Sequence, residues 1–142
     1  MNLQLITLSG VKIDEPVYEV ILPTTSGEIA VFPDHEPLVT VAKAGVIQVR
    51  RERQHSNEQM ELYAISGGVI DINHAGIRVL VDEADHGADI LEAESKAALE
   101  RAIKMRDTAT SQVELEKAHQ LVDRHMVRLK VAGLQRHHRR PN

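Results

Sequence analysis

The sequence predicts a β-plus-α chain: an N-terminal antiparallel β-sandwich over residues 1–85, an antiparallel two-helix α-helical hairpin over 86–135, and a basic flexible tail over 136–142. Three observations predict this. Apolar residues recur with period two as far as about Asp85, the spacing of half-buried strands. Turn residues interrupt these runs at short, regular intervals. From Asp89 the period changes to steps of three and four, as on one face of a helix.

The strand runs are Leu3–Leu8, Val17–Leu22, Glu28–Phe32, Leu38–Val41, Val46–Arg51, Met60–Ile65, Val69–Ile72 and Ile77–Asp82. Ser9-Gly10, Thr24-Thr25-Ser26-Gly27, Pro33-Asp34, Ala44-Gly45, Gly67-Gly68 and Ala75-Gly76 separate them, and Arg53–Glu58 reads as a surface hairpin loop. Many short strands at this spacing suggest two faces sharing one core. Asp89 with Glu92, and Ser111 with Glu114, have the spacing of capping boxes. Leu91, Ala98, Ala102 and Met105 then mark the inner face of a first helix. Leu115, Ala118, Val122, Met126 and Leu129 mark that of a second, and Gly133 reads as its stop. The inner faces are poor in large side chains. Two readings stay open: a hairpin held weakly enough to change its docking surface, or small residues that let two helices pack closely.

The 142 residues carry a net charge of −4, unevenly spread: −7 over residues 1–88 and +3 over 89–142. No apolar run approaches the ~20 residues of a membrane-spanning helix. Residues 2–8 alternate like a strand, not a targeting segment, so a cytosol-facing location is expected. Cysteine is absent, which removes thiol catalysis and cysteine-based zinc sites. Phe32, Tyr18 and Tyr63 are the only aromatics, too few for the stacking platforms of single-stranded nucleic-acid binders.

Catalytic motifs are missing. No Gly-Lys-Ser/Thr P-loop, Gly-x-Ser-x-Gly elbow or His-Glu-x-x-His zinc spacing occurs, and no metal or cofactor is expected. Gly67-Gly68 reads as a turn or bulge where a side chain would clash. Asp34-His35 is a candidate acid–base pair, disfavoured because adjacent residues rarely face one another. His137-His138 lies in the basic tail. Lys117, Arg124, Arg128 and Lys130 lie on helix two, in a segment with seven Lys/Arg and one acid from Lys117 onward. They suit either a solvated face or an acidic protein partner, and the acidic sandwich argues against nucleic acid.

Four ordered stretches are more specific. Ser26-Gly27-Glu28-Ile29-Ala30-Val31-Phe32-Pro33-Asp34-His35-Glu36-Pro37-Leu38 resembles the Gly-Glu and Pro-Gly-His-x-Pro-Leu stretch of the ε subunits of F-type ATP synthases. Ala44-Gly45-Val46-Ile47, Ile65-Ser66-Gly67-Gly68-Val69-Ile70-Asp71-Ile72 and Val79-Leu80-Val81-Asp82-Glu83-Ala84 resemble the turns and strands that follow in that family. The match covers nearly the whole chain.

The resemblance implies a non-catalytic rotor subunit of the central stalk, present as one copy per complex. It would be peripheral to the membrane, on the cytoplasmic face of a bacterial plasma membrane. Its implied partners are the γ subunit, the c ring and the catalytic α and β subunits. It would pass torque from proton flow to ATP synthesis and restrain ATP hydrolysis by extending its hairpin. Carried over by position, Glu28, Phe32, Pro33, Asp34 and His35 would meet the c ring, with Asp34 in place of the usual glycine. Lys117, Arg124, Arg128 and Lys130 would meet acidic segments of the α and β subunits. Some relatives bind ATP through an Ile/Leu-Asp-x-x-Arg-Ala motif. Here Leu91, Glu92 and Ser95 give a degenerate version lacking the arginine, so weak or absent ATP binding is expected. A free-standing sandwich adaptor, an ATP-sensing module and an enzyme using His35 are the competing readings.

Overall fold

A computed structural model describes residues 1–139. Ten strands come first: β1 (Asn2–Thr7), β2 (Gly10–Pro16), β3 (Glu19–Thr24), β4 (Gly27–Val31), β5 (Leu38–Ala42), β6 (Gly45–Arg50), β7 (Glu61–Ile65), β8 (Gly68–Asn73), β9 (Gly76–Val81) and β10 (Ala84–His86). Two helices follow, α1 (Glu92–Asp107) and α2 (Gln112–Arg139). The strands join in the order β10-β7-β6-β3-β5-β8-β9-β1-β2, with β4 beside β3. Because β3 hydrogen-bonds to β4, β5 and β6, the sheet turns there and closes over itself as a sandwich.

Every pairing is antiparallel except β1 with β9, which run parallel. That departure from the antiparallel expectation joins the first strand to one that begins more than seventy residues later. No local pattern announces such a pairing. It needs a close approach: a Cβ on Gly76, at φ +141°, would meet the Asn2 carbonyl. Gly68 is equally constrained, since a Cβ there would fall 1.9 Å from the Leu80 carbonyl oxygen. The glycine pair thus has the packing role its sequence suggests.

Alternation is what fills the core. Leu3, Leu5, Val20, Leu22, Ile47, Val49, Ile70, Ile72, Ile77, Val79 and Val81 all point between the two faces and are buried. At the sandwich edge, Arg50 reaches largely buried Glu19 at 2.8 Å and also donates to the His55 carbonyl and Asn57 Oδ1. One guanidinium therefore anchors the Arg53–Glu58 loop, which contains a short 3-10 turn at Asn57–Gln59.

The hairpin differs from its sequence outline in three places. Asp89 is not the cap of α1. It ends a 3-10 turn at Gly87–Asp89, and α1 starts after Leu91, which makes no side-chain cap bond. The second box forms in altered shape: Ser111 Oγ accepts from the Glu114 amide, while Glu114 reaches back to the amide and hydroxyl of Thr110. Gly133 does not stop α2. Its φ is not left-handed, nothing crowds it, and the helix runs on to Arg139. The tail expected from residue 136 is therefore helical through residue 139. Residues 140–142 lie outside the described residues.

Helix α1 packs on α2 through buried Ser95 and Ala102, facing a stripe that includes Ala118 and Val122. Small side chains fill this seam, and Leu91, Met105 and Met126, expected inside, are exposed. The buried α2 stripe steps from Ala118 to Val122 and on through half-buried His125 and Leu129, so Met126 turns outward. The later part of α2 lies on the sandwich, where Val131 and Ala132 close a second cluster with Val46, Leu62, Ala64 and Ile90.

Candidate functional site

Three surfaces carry the chain's interaction chemistry. The first is the loop after β4. Pro33 and Asp34 are the central residues of a turn closed by the His35 amide donating to the Phe32 carbonyl at 3.2 Å. Asp34 has φ +68°, the left-handed conformation that the third residue of a type II turn requires. Glycine meets that requirement without strain, and aspartate is among the few side chains that tolerate it. So the substitution keeps the turn and adds an exposed acid. His35 Nδ1 lies 2.8 Å from the Glu36 carbonyl, which ties the ring to the backbone of the next residue. Phe32 stacks edge-on against Tyr18 at 5.8 Å and is 41% exposed.

Phe32, Asp34 and His35 line a cavity of about 50 Å³ together with Met1, Asn73 and His74. That is far below the ~300 Å³ of ordinary small-molecule sites. Glu28 is not part of this end. It sits near the start of β4, opposite Pro23, roughly 13 Å along the strand from Phe32. The structure thus places Glu28 and the Phe32–His35 loop at opposite ends of one strand.

The second surface was not singled out from the sequence. Val41 on β5 pairs with Val69 on β8, Val69 with Leu80 on β9, Leu80 with Ile6 on β1, and Ile6 with Val11 on β2. Because directly paired residues share a face, these five side chains form one apolar row across five strands, roughly 19 Å long. Val11, Val41, Val69 and Leu80 are 60, 53, 43 and 42% exposed, and the hairpin, docked over β6 and β7, leaves them open. The adjoining register row begins with exposed Val39 on β5 and is polar over the next four strands: Asp71, Arg78, Gln4 and Asp14, with Arg78 donating to Gln4 at 3.2 Å. An apolar stripe with a polar flank has the anatomy of a protein–protein interface. The signal in the sequence was the broken alternation of Val79-Leu80-Val81 and Val39–Val41, where outward positions are apolar.

The third surface joins hairpin to sandwich. Of the four basic residues expected to face an acidic partner, two meet acids of this same chain. Arg124 Nε lies 2.8 Å from Glu83 Oε2, in charge contact without hydrogen-bond alignment. Arg128 donates to Asp85 at 3.2 Å. Lys117 and Lys130 are exposed and make no ion pair among the described residues. Arg136 forms a forked pair with Glu92, at 2.7 and 2.6 Å. These partners lie more than forty residues apart in the chain, so spacing could not reveal them.

The degenerate motif sits beside that fork. Leu91 is exposed, Glu92 is held by Arg136, and Ser95 is buried with its hydroxyl unpaired. The neighbouring cleft, lined by Gly87, Ile90, Leu91, Glu92, Ala132, Gln135 and Arg136, measures about 270 Å³.

A further network braces the base of the hairpin. Arg51 binds Glu15 and Glu61, Tyr63 donates to Glu61 at 3.1 Å, and the His86 ring lies edge-on to Tyr63 at 4.8 Å. The hydrogen bond from Arg51 holds the Glu61 carboxyl below its ordinary range, against the cost of burial. Burial first, then Glu61, push the Tyr63 hydroxyl well above its ordinary value, so it remains a donor. Among the described residues no three His, Cys, Asp or Glu side chains gather as a metal site.

Comparison with known proteins matches residues 1–87 to the family "ATP synthase, Delta/Epsilon chain, beta-sandwich domain". The chloroplastic ATP synthase epsilon chain of Gossypium barbadense is 36% identical over 102 residues, 72% of this chain and 73% of that protein. Its counterpart in Coffea arabica is 37% identical over 102 residues, 72% and 74% of the two chains. In fold, the chain is similar to one in the mitochondrial ATP synthase of Euglena gracilis, in a structure of OSCP, F1 and c-ring. The TM-score is 0.75 at 23% identity, over 93% of this chain and 79% of that one. A chain of the central stalk and c-ring of Tetrahymena thermophila mitochondrial ATP synthase gives 0.59 at 10% identity, over 93% and 96%.

Proposed function

The chain belongs to the ATP synthase delta/epsilon family, and on that premise we propose that it is a non-catalytic central-stalk subunit that docks on the γ subunit through its apolar row. The row carries the proposal. It is an exposed apolar strip that the hairpin does not cover, and the charged and polar residues beside it can fix register on a partner. The rotor would pass torque between the c ring and the α and β subunits in proton-driven ATP synthesis. It would sit at the cytoplasmic face of a bacterial plasma membrane, held there by its partners. No helix among the described residues is long and apolar enough to cross a membrane.

Co-purification of the full chain with γ tests the row. Val69→Glu places a charge at its centre, where the side chain is already half in water. We expect γ affinity to fall by about tenfold or more, with little change in thermal unfolding. Undiminished γ binding by Val69→Glu would contradict the assignment of this face.

The same reading places the Phe32–His35 loop and Glu28 against the c ring. Their separation along β4 means that they would touch different parts of it. The hairpin is the regulatory element, and Lys117, Arg124, Arg128 and Lys130 are its contacts to α and β when extended. Supporting this is the state of Arg124 and Arg128, held by acids of the sandwich through half-buried pairs that exchange one carboxylate partner for another at small net cost. Replacing all four with Ala should relieve inhibition of hydrolysis in the reconstituted enzyme, and unchanged inhibition would count against it. ATP binding should be weak or absent, because the motif lacks its arginine and Glu92 is engaged by Arg136. A micromolar affinity in calorimetry would overturn that.

A further inference from the structure

His125 occupies the junction of α1, α2 and the sandwich. Its Nδ1 is buried and has no hydrogen-bond partner. The charged groups facing it are Arg124 and Arg128 from α2, Arg101 from α1, and Glu83 from the turn after β9. Glu83 is already in charge contact with Arg124, and Asp85, on β10, is taken by Arg128. A neutral imidazole suits this position, since it keeps its proton on Nε2 and leaves only an unpaired acceptor inside. An imidazolium does not. It would put an N–H with no acceptor on the buried Nδ1 and set a fourth positive charge among three guanidinium groups.

We propose that His125 makes docking of the hairpin on the sandwich sensitive to acid, so that protonation of this one ring releases α2 and frees Arg124 and Arg128. The inference concerns the isolated chain and stands independently of the rotor reading.

Burial first, then Arg124, Arg128 and Arg101, lower the imidazole's pKa from its ordinary value of 6.5, with Glu83 opposing. The sign follows from linkage. The docked state holds the proton less well than the released state. Docking is therefore at full strength above about pH 6.5 and weakens as pH falls through the depressed docked value. His86, the other histidine at the hairpin's base, accepts from the Ala88 amide through Nδ1 at 3.0 Å and faces Glu61 through Nε2 at 3.9 Å, so His86→Gln serves as the control: a pH dependence of docking that it flattens and His125→Gln does not would overturn the proposal.

The chain has no cysteine of its own, so labels can be introduced cleanly. Arg53→Cys on the sandwich loop and Gln120→Cys on α2 are both exposed and report the separation of hairpin and sandwich by energy transfer. In the full chain, we expect the docked fraction to fall on going from pH 8 to pH 5. His125→Gln, neutral at every pH, should flatten that dependence. Arg101→Gln, by removing one surrounding charge, should bring the docked ring closer to its ordinary value and so make the loss of docking shallower and shift it to lower pH, while leaving the α2 clamp in place. Direct titration of the His125 ring by NMR should place it below the ordinary imidazole value. Docking that does not change between pH 8 and 5, an equal slope in His125→Gln, or a ring titrating at or above 6.5 would each overturn the proposal.

Discussion

The sandwich and the hairpin seam show two ways of holding a protein together. The sandwich core gathers eighteen buried apolar side chains from nearly all its strands, several of them leucine and isoleucine with no exposure. The seam between hairpin and sandwich gathers six, two of them alanine, and adds two ion pairs that remain partly in water. Burial scales with apolar area, at roughly 25 cal/mol per Å², whereas exposed pairs contribute little and are screened by salt. The first arrangement gives a rigid body, and the second a contact that ordinary changes of ionic strength or pH can shift.

Disturbing the sandwich should have the largest effect. Gly68→Ala would push a methyl group into the Leu80 carbonyl, and backbone cannot move aside as a flexible side chain can. We expect a loss of about 3 kcal/mol or more in denaturant unfolding, which would melt both regions together. Leu5→Ala, at a site with no exposure, should cost roughly 2–5 kcal/mol by the same measurement. Removing the clamp should act differently. Glu83→Gln with Asp85→Asn should lower hairpin docking by about 1–2 kcal/mol in total while leaving the sandwich transition in place. The smallest effect is expected at the turn after β4, where Asp34→Gly should stabilise by roughly 0.5 kcal/mol by relieving a left-handed residue. The acid limb provides a further contrast. Glu61 is held below its ordinary range by Arg51, so its contribution is present at neutral pH and is lost only as pH falls below 4.5, through the lowered value. Acid should therefore loosen the hairpin first and the Arg51 network later.

The same contrast explains what the sequence could reveal. Period-two alternation is a local signal, and it located eight of the ten strands; β2, which buries only Ile13, and the three-residue β10 carry no such pattern and were not read from the sequence. The helices were equally legible in their number and order. Helix ends were not, because Gly133 is a stop only where the backbone turns left-handed, and here tertiary contact from Val131 and Ala132 to the sandwich carries α2 past it. The parallel β1–β9 pair and the Arg124–Glu83, Arg128–Asp85 and Arg136–Glu92 contacts join distant residues, which no spacing rule can connect. Among the expected sites, the Pro33-Asp34 turn was readable from turn chemistry alone. The apolar row was present as faulty alternation at Leu80 and Val41, and a strand's outward face became a surface only once five strands were set in register.

Native-state hydrogen exchange on the full chain, at low salt and at about 0.5 M salt, tests the separation of the two regions most directly. The account predicts that amides of α1 and α2 exchange through an opening less costly than that of β3, β6 and β8, and that salt lowers protection in the helices alone. Helical amides that exchange only with global unfolding, unaffected by salt, would show that hairpin and sandwich form one cooperative body and would contradict it.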